Sequence, residues 1–146
     1  MHLPQIISAI AALGLVSVSN GLGINCRGSA MCSTGDIYTA QNLRNSINGI
    51  PDDKWYPKGE HIACDIAGVP VPLPGVPRLG GSICAFVQST DGARGRDLKR
   101  LAQYIVDHKC RICGSVPTHF PDSNNVKDGQ LTFNYVKKPK CQEGIC

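Results

Sequence analysis

The sequence predicts an α+β fold: an α/β sandwich in which two helices pack on one face of a mostly antiparallel sheet. Disulfides are expected to bridge this fold. Three observations predict it. Two segments repeat apolar residues at helical spacing, short apolar or alternating runs typical of strands flank them, and eight cysteines occur in 146 residues. The predicted order of strand, helix, strand, strand, helix, strand, strand is typical of split βαβ units.

The first predicted helix follows a short strand at residues 25–27. A helix start is expected at residues 33–36, and Asn48, Gly49 and Pro51 are typical of its end. A possible strand follows at residues 62–67. The residues that share one face of this helix are Ile37, Ala40, Leu43, Ile47 and Ile50.

Residues 68–81 interrupt the pattern with four prolines and flanking glycines, which exclude a helix or a central strand. We interpret this segment as an exposed polyproline-like insertion, with a recognition element as the alternative. Strands are predicted at residues 82–87 and 112–116, and a clear alternation predicts another at 131–135. The second helix, after a turn at Asp91 and Gly92, has the apolar stripe Leu98, Leu101, Ala102, Ile105 and Val106.

The first 21 residues are typical of a secretory signal peptide. Residues 1–20 contain no Lys, Arg, Asp or Glu, and residues 6–16 are almost continuously apolar but too few to span a bilayer. Small residues follow at Ser17, Ser19 and Gly21, so cleavage fits after Ser19 or after Gly21. We therefore expect a signal peptide at residues 1–21, a mature domain at residues 22–146 and a secreted, extracellular protein.

Secretion favours structural disulfides over metal or redox chemistry for the cysteines. Cys110 and Cys113 have C-x-x-C spacing, but they follow a helical pattern, whereas a thioredoxin-type pair begins a helix. A zinc site would need a second such pair or two closely spaced histidines, and the sequence has neither. The expected metal content is therefore none.

Charge and composition narrow the function classes. The net charge of +4 is mild and aromatics make up only 5%, which argues against a nucleic-acid partner. Ten basic and five acidic residues lie from Gly92 onward, which suits a solvated surface, an anionic cell surface or the acidic mouth of a cation channel. A secreted hydrolase using His61, His108 or His119 is an alternative, although no catalytic motif surrounds them.

Four ordered blocks resemble the virally encoded killer toxin of smut fungi, the killer protein four family. They bracket nearly the whole mature chain, and the first supports cleavage just before Leu22. The blocks are Leu-Gly-Ile-Asn-Cys-Arg-Gly-Ser at residues 22–29, Ser-Ile-Cys-Ala-Phe-Val-Gln-Ser-Thr at 82–90, His-Lys-Cys-Arg-Ile-Cys-Gly-Ser at 108–115 and Gly-Gln-Leu-Thr-Phe-Asn-Tyr-Val at 129–136.

The resemblance implies a secreted α/β sandwich that inhibits the growth of susceptible fungi through block of calcium channels. It implies neither an enzyme nor a cofactor. We expect a killer-toxin-like monomer that binds a membrane protein of the target cell. The bridges that the resemblance implies are Cys26–Cys110, Cys32–Cys113 and Cys64–Cys141, which leaves Cys84–Cys146 as the fourth.

One departure bears on the site. The family has a basic run, including a lysine tied to activity, just before the cysteine that matches Cys64, whereas residues 59–64 here contain no Lys or Arg. Lys58 is the nearest replacement, and His61 would add charge below about pH 6.5. A protein that kept the fold without toxicity, as an effector or surface protein, is therefore a further alternative. The other candidate target-binding residues lie in the basic second half: Arg94, Arg96, Lys99 and Arg100.

Overall fold

A computed structural model describes residues 23–68, 74–75 and 80–146 of the chain. Its two α-helices correspond to the two predicted stripes. They are α1, Thr39–Ile47, and α2, Gly95–Asp107, and 3₁₀ turns occur at Ala30–Thr34 and Val126–Asp128. The strands are β1, Trp55–Pro57; β2, Ala63–Ile66; β3, Ser82–Gln88; β4, Gly92–Arg94; β5, Gly114–Pro117; β6, Gln130–Val136; and β7, Gly144–Ile145.

The strands form two sheets in which every pairing is antiparallel. The larger sheet has the order β5-β6-β3-β2-β7, and β1 pairs with β4 in a separate two-stranded sheet. Strands β3 and β5 run parallel on either side of β6 and are joined through α2, which is a split βαβ unit. The predicted α+β class and mostly antiparallel sheet are confirmed.

The hydrophobic core lies between the larger sheet and the two helices. Alternate residues of the central strands point toward the helices because successive side chains of a strand face opposite ways. Phe133 on β6 is the bulkiest of the fully buried side chains. The fully buried residues around it include Leu43, Ile47, Ile83, Val87, Leu98, Leu101, Ile105 and Leu131.

Helix α1 begins later than its apolar stripe predicted. Ile37 was expected on the buried face, but 54% of it is exposed. Before the helix, the Asp36 carboxylate accepts a hydrogen bond from the Tyr38 N–H and its carbonyl accepts one from the Thr39 N–H. This turn places Ile37 outside the helix, so helical periodicity does not apply to it.

Other differences concern short or edge strands. The predicted strand at residues 25–27 is wrong, because Asn25 makes only a single bridge with Ser115. The two-stranded sheet of β1 and β4 and the two-residue β7 were not predicted. Such segments are too short to show an alternating pattern of their own, and pairing with a neighbour is what makes them strands.

Two of the four disulfides are as the resemblance implied. Cys26–Cys110 and Cys32–Cys113 join the N-terminal segment to the chain between α2 and β5. Because the C-x-x-C cysteines pair with distant partners, they form no bond with each other. These bridges fasten residues that lie 84 and 81 positions apart.

The other two expected bridges, Cys64–Cys141 and Cys84–Cys146, are wrong. The structure pairs Cys64 with Cys84 and Cys141 with Cys146. The antiparallel register places Cys64 directly opposite Cys84, with 4.1 Å between their Cα atoms. The expected partners are nevertheless neighbours, because the sulfur atoms of Cys64, Cys141 and Cys146 lie within 4.8 Å of one another.

The signal peptide expected at residues 1–21 lies outside the described residues, as does most of the proline-rich segment. Of that segment the structure describes Gly68, an exposed turn at Pro74 and Gly75, and Gly80 and Gly81. Among the described residues, neither helix has the length and apolar character needed to cross a bilayer.

Candidate functional site

The loop that precedes Cys64 contacts the C-terminal segment of the chain. Lys140 donates its backbone N–H to the Nδ1 atom of His61 at 2.9 Å, and its Nζ atom lies 3.4 Å from Oε1 of Glu60. An ammonium group therefore stands beside the loop that lacks its own basic run. The exposed lysines Lys58, Lys137, Lys138 and Lys140, together with Glu60 and His61, are called the loop surface below.

The lysines outnumber the acidic groups of this surface. Lys58 follows the end of β1, where its backbone N–H donates to the carbonyl of Asp91 and its side chain is exposed. Lys137 and Lys138 follow β6 directly, so the end of the sheet brings them to the same segment as Lys140. An exposed cationic surface of this kind attracts acidic partners, with a range limited by salt.

His61 joins this loop to the C-terminal segment as a neutral side chain. Its Nδ1 accepts the Lys140 hydrogen bond and so carries no proton. Burial, and to a smaller extent the Lys140 charge, lower the pKa of the imidazole below its ordinary value. His61 therefore gains a positive charge only at a lower pH than the sequence suggested.

Lowering the pH should destabilise the protein through His61. The folded-state pKa lies below the unfolded-state value of about 6.5, so the unfolded chain binds the proton more readily. The stability present above about pH 6.5 is lost as the pH falls through the folded-state pKa. Urea unfolding at about pH 7.5 and about pH 5 should show this loss, and the loss should be smaller in His61→Gln.

Lys140→Gln provides the matched control for that measurement. It removes the ammonium but keeps the backbone N–H that donates to His61. Because burial contributes more than Lys140 to the lowered pKa, this variant should change the pH dependence less than His61→Gln. An unchanged pH dependence in His61→Gln would show that another group causes the loss.

The predicted basic residues of the second half divide into two groups. Arg96 forms an ion pair with Asp53, and Nζ of Lys99 lies 2.6 Å from Oδ1 of Asp52. The hydrogen bond and charge of Lys99 lower the pKa of the Asp52 carboxyl. Both cations are thus paired with carboxylates, as Lys140 is with Glu60, and they connect α2 to the acidic turn before β1.

Arg94 and Arg100 lie elsewhere, at a small cleft beside Trp55. An Arg94 guanidinium nitrogen donates to the carbonyl of Asp53 at 3.2 Å, and one of Arg100 donates to the carbonyl of Phe120 at 2.6 Å. The structure therefore does not gather the six predicted target-binding residues in one place. Only Lys58 and His61 belong to the loop surface.

The three histidines of the hydrolase alternative occupy different settings. His61 contacts the Lys140 backbone and Phe86, His108 caps the C-terminus of α2, and His119 borders the Trp55 cleft. The hydrogen bond that His61 makes in the described chain is to a backbone amide, which is no nucleophile to activate.

Lys140 is the residue that sequence reasoning missed. A signal for it existed, because the implied Cys64–Cys141 contact would bring the neighbouring lysines to the loop before Cys64. Although that bridge is wrong, the closeness behind it is correct: the Cys141 sulfur lies within 4.8 Å of the Cys64 sulfur. Loop cations in a folded protein can thus come from a distant part of the chain.

The fold and its bridges define the class: a small α+β protein held by four disulfides. The family model of Kp4 matches residues 9–137. The chain is also 36% identical over 130 residues to the KP4 killer toxin of Ustilago maydis P4 virus, a match that covers 88% of this chain and 91% of that toxin. The chain belongs to the Kp4 killer-toxin family, as the sequence blocks indicated.

Proposed function

We propose that this killer-toxin-like protein is secreted and inhibits the growth of competing fungi or host cells by binding a membrane target such as a calcium channel. The observation that carries the proposal is Lys140, whose ammonium stands beside the loop before Cys64. It supplies a cation next to residues 59–64, which contain no Lys or Arg of their own, and it is paired there with Glu60. The target would be the acidic mouth of the channel.

The chemistry of the loop surface supports such a contact. A lysine ammonium is a compact point charge that suits a ring of carboxylates, which is how many cation channels line their entrance. Among the described residues, Lys140 is paired with Glu60, and no ion pair is made by Lys58, Lys137 or Lys138. Because the groups are exposed, the attraction acts mainly on the approach of the partner and weakens with salt.

Secretion is supported by the residues that lead into the domain and by the bridges within it. Residues 1–21 have the pattern of a signal peptide, so we propose residues 22–146 as the mature killer-toxin-like domain. All cysteines in the described structure are bridged, which is the state expected in an oxidising compartment. We further propose that the mature protein acts as a monomer and not as an enzyme.

Removing the loop charges should abolish most of the growth inhibition. In Lys58→Gln/Lys140→Gln, the concentration of purified protein that halves fungal growth should rise about tenfold or more, because two attractive charges are lost at the contact. Added calcium should relieve the inhibition caused by the unchanged protein. Circular dichroism and mapping of the bridges would show that the variant is folded.

A second double variant controls for net charge. Arg96→Gln/Lys99→Gln also removes two positive charges, but from α2, outside the loop surface. It should inhibit growth within about twofold of the unchanged protein. Equal activity of the loop variant and the unchanged protein would overturn the role of the loop surface.

The alternatives correspond to other outcomes of the same assay. A folded protein that leaves a panel of fungi and plant seedlings unaffected would overturn the proposal in favour of an effector or surface protein that kept the fold. Turnover of RNA or polysaccharide that is lost in the histidine variants would instead identify a hydrolase.

A further inference from the structure

A cleft of about 250 Å³ opens beside the smaller sheet, between β4, the start of α2 and the chain after β5. It shares no lining residue with the loop surface. Small-molecule pockets usually measure about 300–1,000 Å³, so this cleft has room for one ring or one side chain. The residues that give it chemical character are Trp55, Thr90, Arg94, Arg100, Thr118 and His119.

Trp55 forms an open apolar wall of the cleft. Its side chain is held against Gly92 of β4, where an added Cβ atom would lie only 2.9 Å from the indole Cε2 and Cζ2 atoms. Yet 49% of Trp55 remains exposed. The backbone thus supports one side of a large ring while another side stays accessible, which is the arrangement that stacking on a flat ligand requires.

Arg94 and Arg100 give the cleft a preference for anions. A guanidinium nitrogen of Arg94 donates to the carbonyl of Asp53, and one of Arg100 donates to the carbonyl of Phe120. These hydrogen bonds hold the two side chains in place. A guanidinium has five N–H donors, so donors remain for a ligand. Asp97, 4.0 Å from Arg100, is the acidic residue that lines the cleft, so positive charge is in excess.

We propose that the Trp55 cleft binds one anionic sugar residue, a uronate or a sugar phosphate, of a cell-surface polysaccharide. The indole would stack on the apolar face of the ring, and a guanidinium fork would bind the carboxylate or phosphate in a bidentate manner. Thr90 and His119 add hydrogen-bonding groups for the ring hydroxyls. Such binding would concentrate the protein at a cell wall, independently of any channel block.

Fluorescence gives a direct test, because Trp55 is the single tryptophan of the chain. The purified, oxidised protein is titrated with a galacturonate trimer, with mannose 6-phosphate and with a neutral maltotriose. We expect a saturable change in emission with at least one of the anionic sugars and none with maltotriose. Which anionic sugar binds tells uronate from phosphate, and raising the salt to about 0.5 M should weaken binding severalfold.

Variants locate the site. By calorimetry, Arg100→Gln and Trp55→Leu should each weaken sugar binding about tenfold or more. The first removes a guanidinium that binds the anionic group, and the second removes the indole that stacks on the sugar ring. Arg96→Gln, on the same helix but paired with Asp53, should stay within about twofold of the unchanged protein. Lys58→Gln/Lys140→Gln should also bind the sugar normally, which separates this result from the growth assay.

Three outcomes would overturn the proposal. The first is the absence of a saturable response up to about 10 mM sugar, since a dissociation constant above that concentration means less than about 3 kcal/mol of binding free energy. The second is equal binding of the neutral trisaccharide. The third is binding of an acidic peptide with no binding of either anionic sugar. The last outcome would make the cleft a protein-recognition site.

Discussion

Replacing Cys26 and Cys110 together by serine should lower the free energy of unfolding by about 4–5 kcal/mol. The bridge joins residues 84 positions apart, and in the chain-entropy model a long closed loop restricts the unfolded chain most. Because a domain of this size is typically stable by only about 5–15 kcal/mol, the variant should lose much of its stability. Urea unfolding at about 25 °C, followed by circular dichroism, measures the loss.

The matched control is the double serine variant of Cys141 and Cys146. Those residues are only 5 positions apart, so the same model gives a loss of about 2 kcal/mol. Removing both partners of a bridge also avoids a free thiol that could exchange with the remaining disulfides. Equal losses in the two variants would mean that loop length does not decide what these bridges contribute.

Phe133→Ala should lower the free energy of unfolding by about 3–5 kcal/mol. Phe133 is fully buried on β6, at the centre of the layer between the sheet and the helices. Its removal loses the burial of the ring and leaves a cavity that the surrounding core fills only in part. Urea or thermal unfolding of the oxidised protein would show the loss as an earlier transition.

Phe86→Ala serves as the control on the neighbouring strand. Phe86 pairs with Thr132 on β6, one position away from Phe133, and therefore points to the opposite face of the sheet. There it is partly exposed and its ring lies 6.1 Å from that of His61. Its removal should cost about 1–2 kcal/mol. A larger loss of unfolding free energy for Phe86→Ala than for Phe133→Ala would contradict a main core on the side of the sheet that faces the helices.

The loop surface forms only in the folded protein, because it combines two segments that are far apart in the chain. The loop before Cys64 and the segment around Lys140 are 79 positions apart at the His61 hydrogen bond. The pairing of β7 with β2 and the hydrogen bond from the Cys146 N–H to the Ile62 carbonyl hold the C-terminal segment against β2. Variants that loosen this segment should therefore reduce activity together with stability, whereas Lys58→Gln/Lys140→Gln should reduce activity alone.

The amino-acid sequence alone determined the layers of this protein. The stripes around Leu43 and Leu101 and the alternation at residues 131–135 are local patterns, and each predicted an element that the structure contains. A local pattern persists in the fold because one buried face is what each helix or strand contributes to the core. The long-range bridges Cys26–Cys110 and Cys32–Cys113 came from the family resemblance, which carries tertiary information that spacing lacks.

The tertiary structure alone decided which distant residues bond to or contact one another. Cys64 bonds to Cys84 because the β2–β3 register sets them opposite each other, and no spacing along the chain shows a register. Lys140 reaches the loop before Cys64 because the chain folds back after β6, and Arg96 is paired with a carboxylate because Asp53 lies across from α2. Contacts between distant segments depend on how whole elements pack, so they followed only from the folded chain.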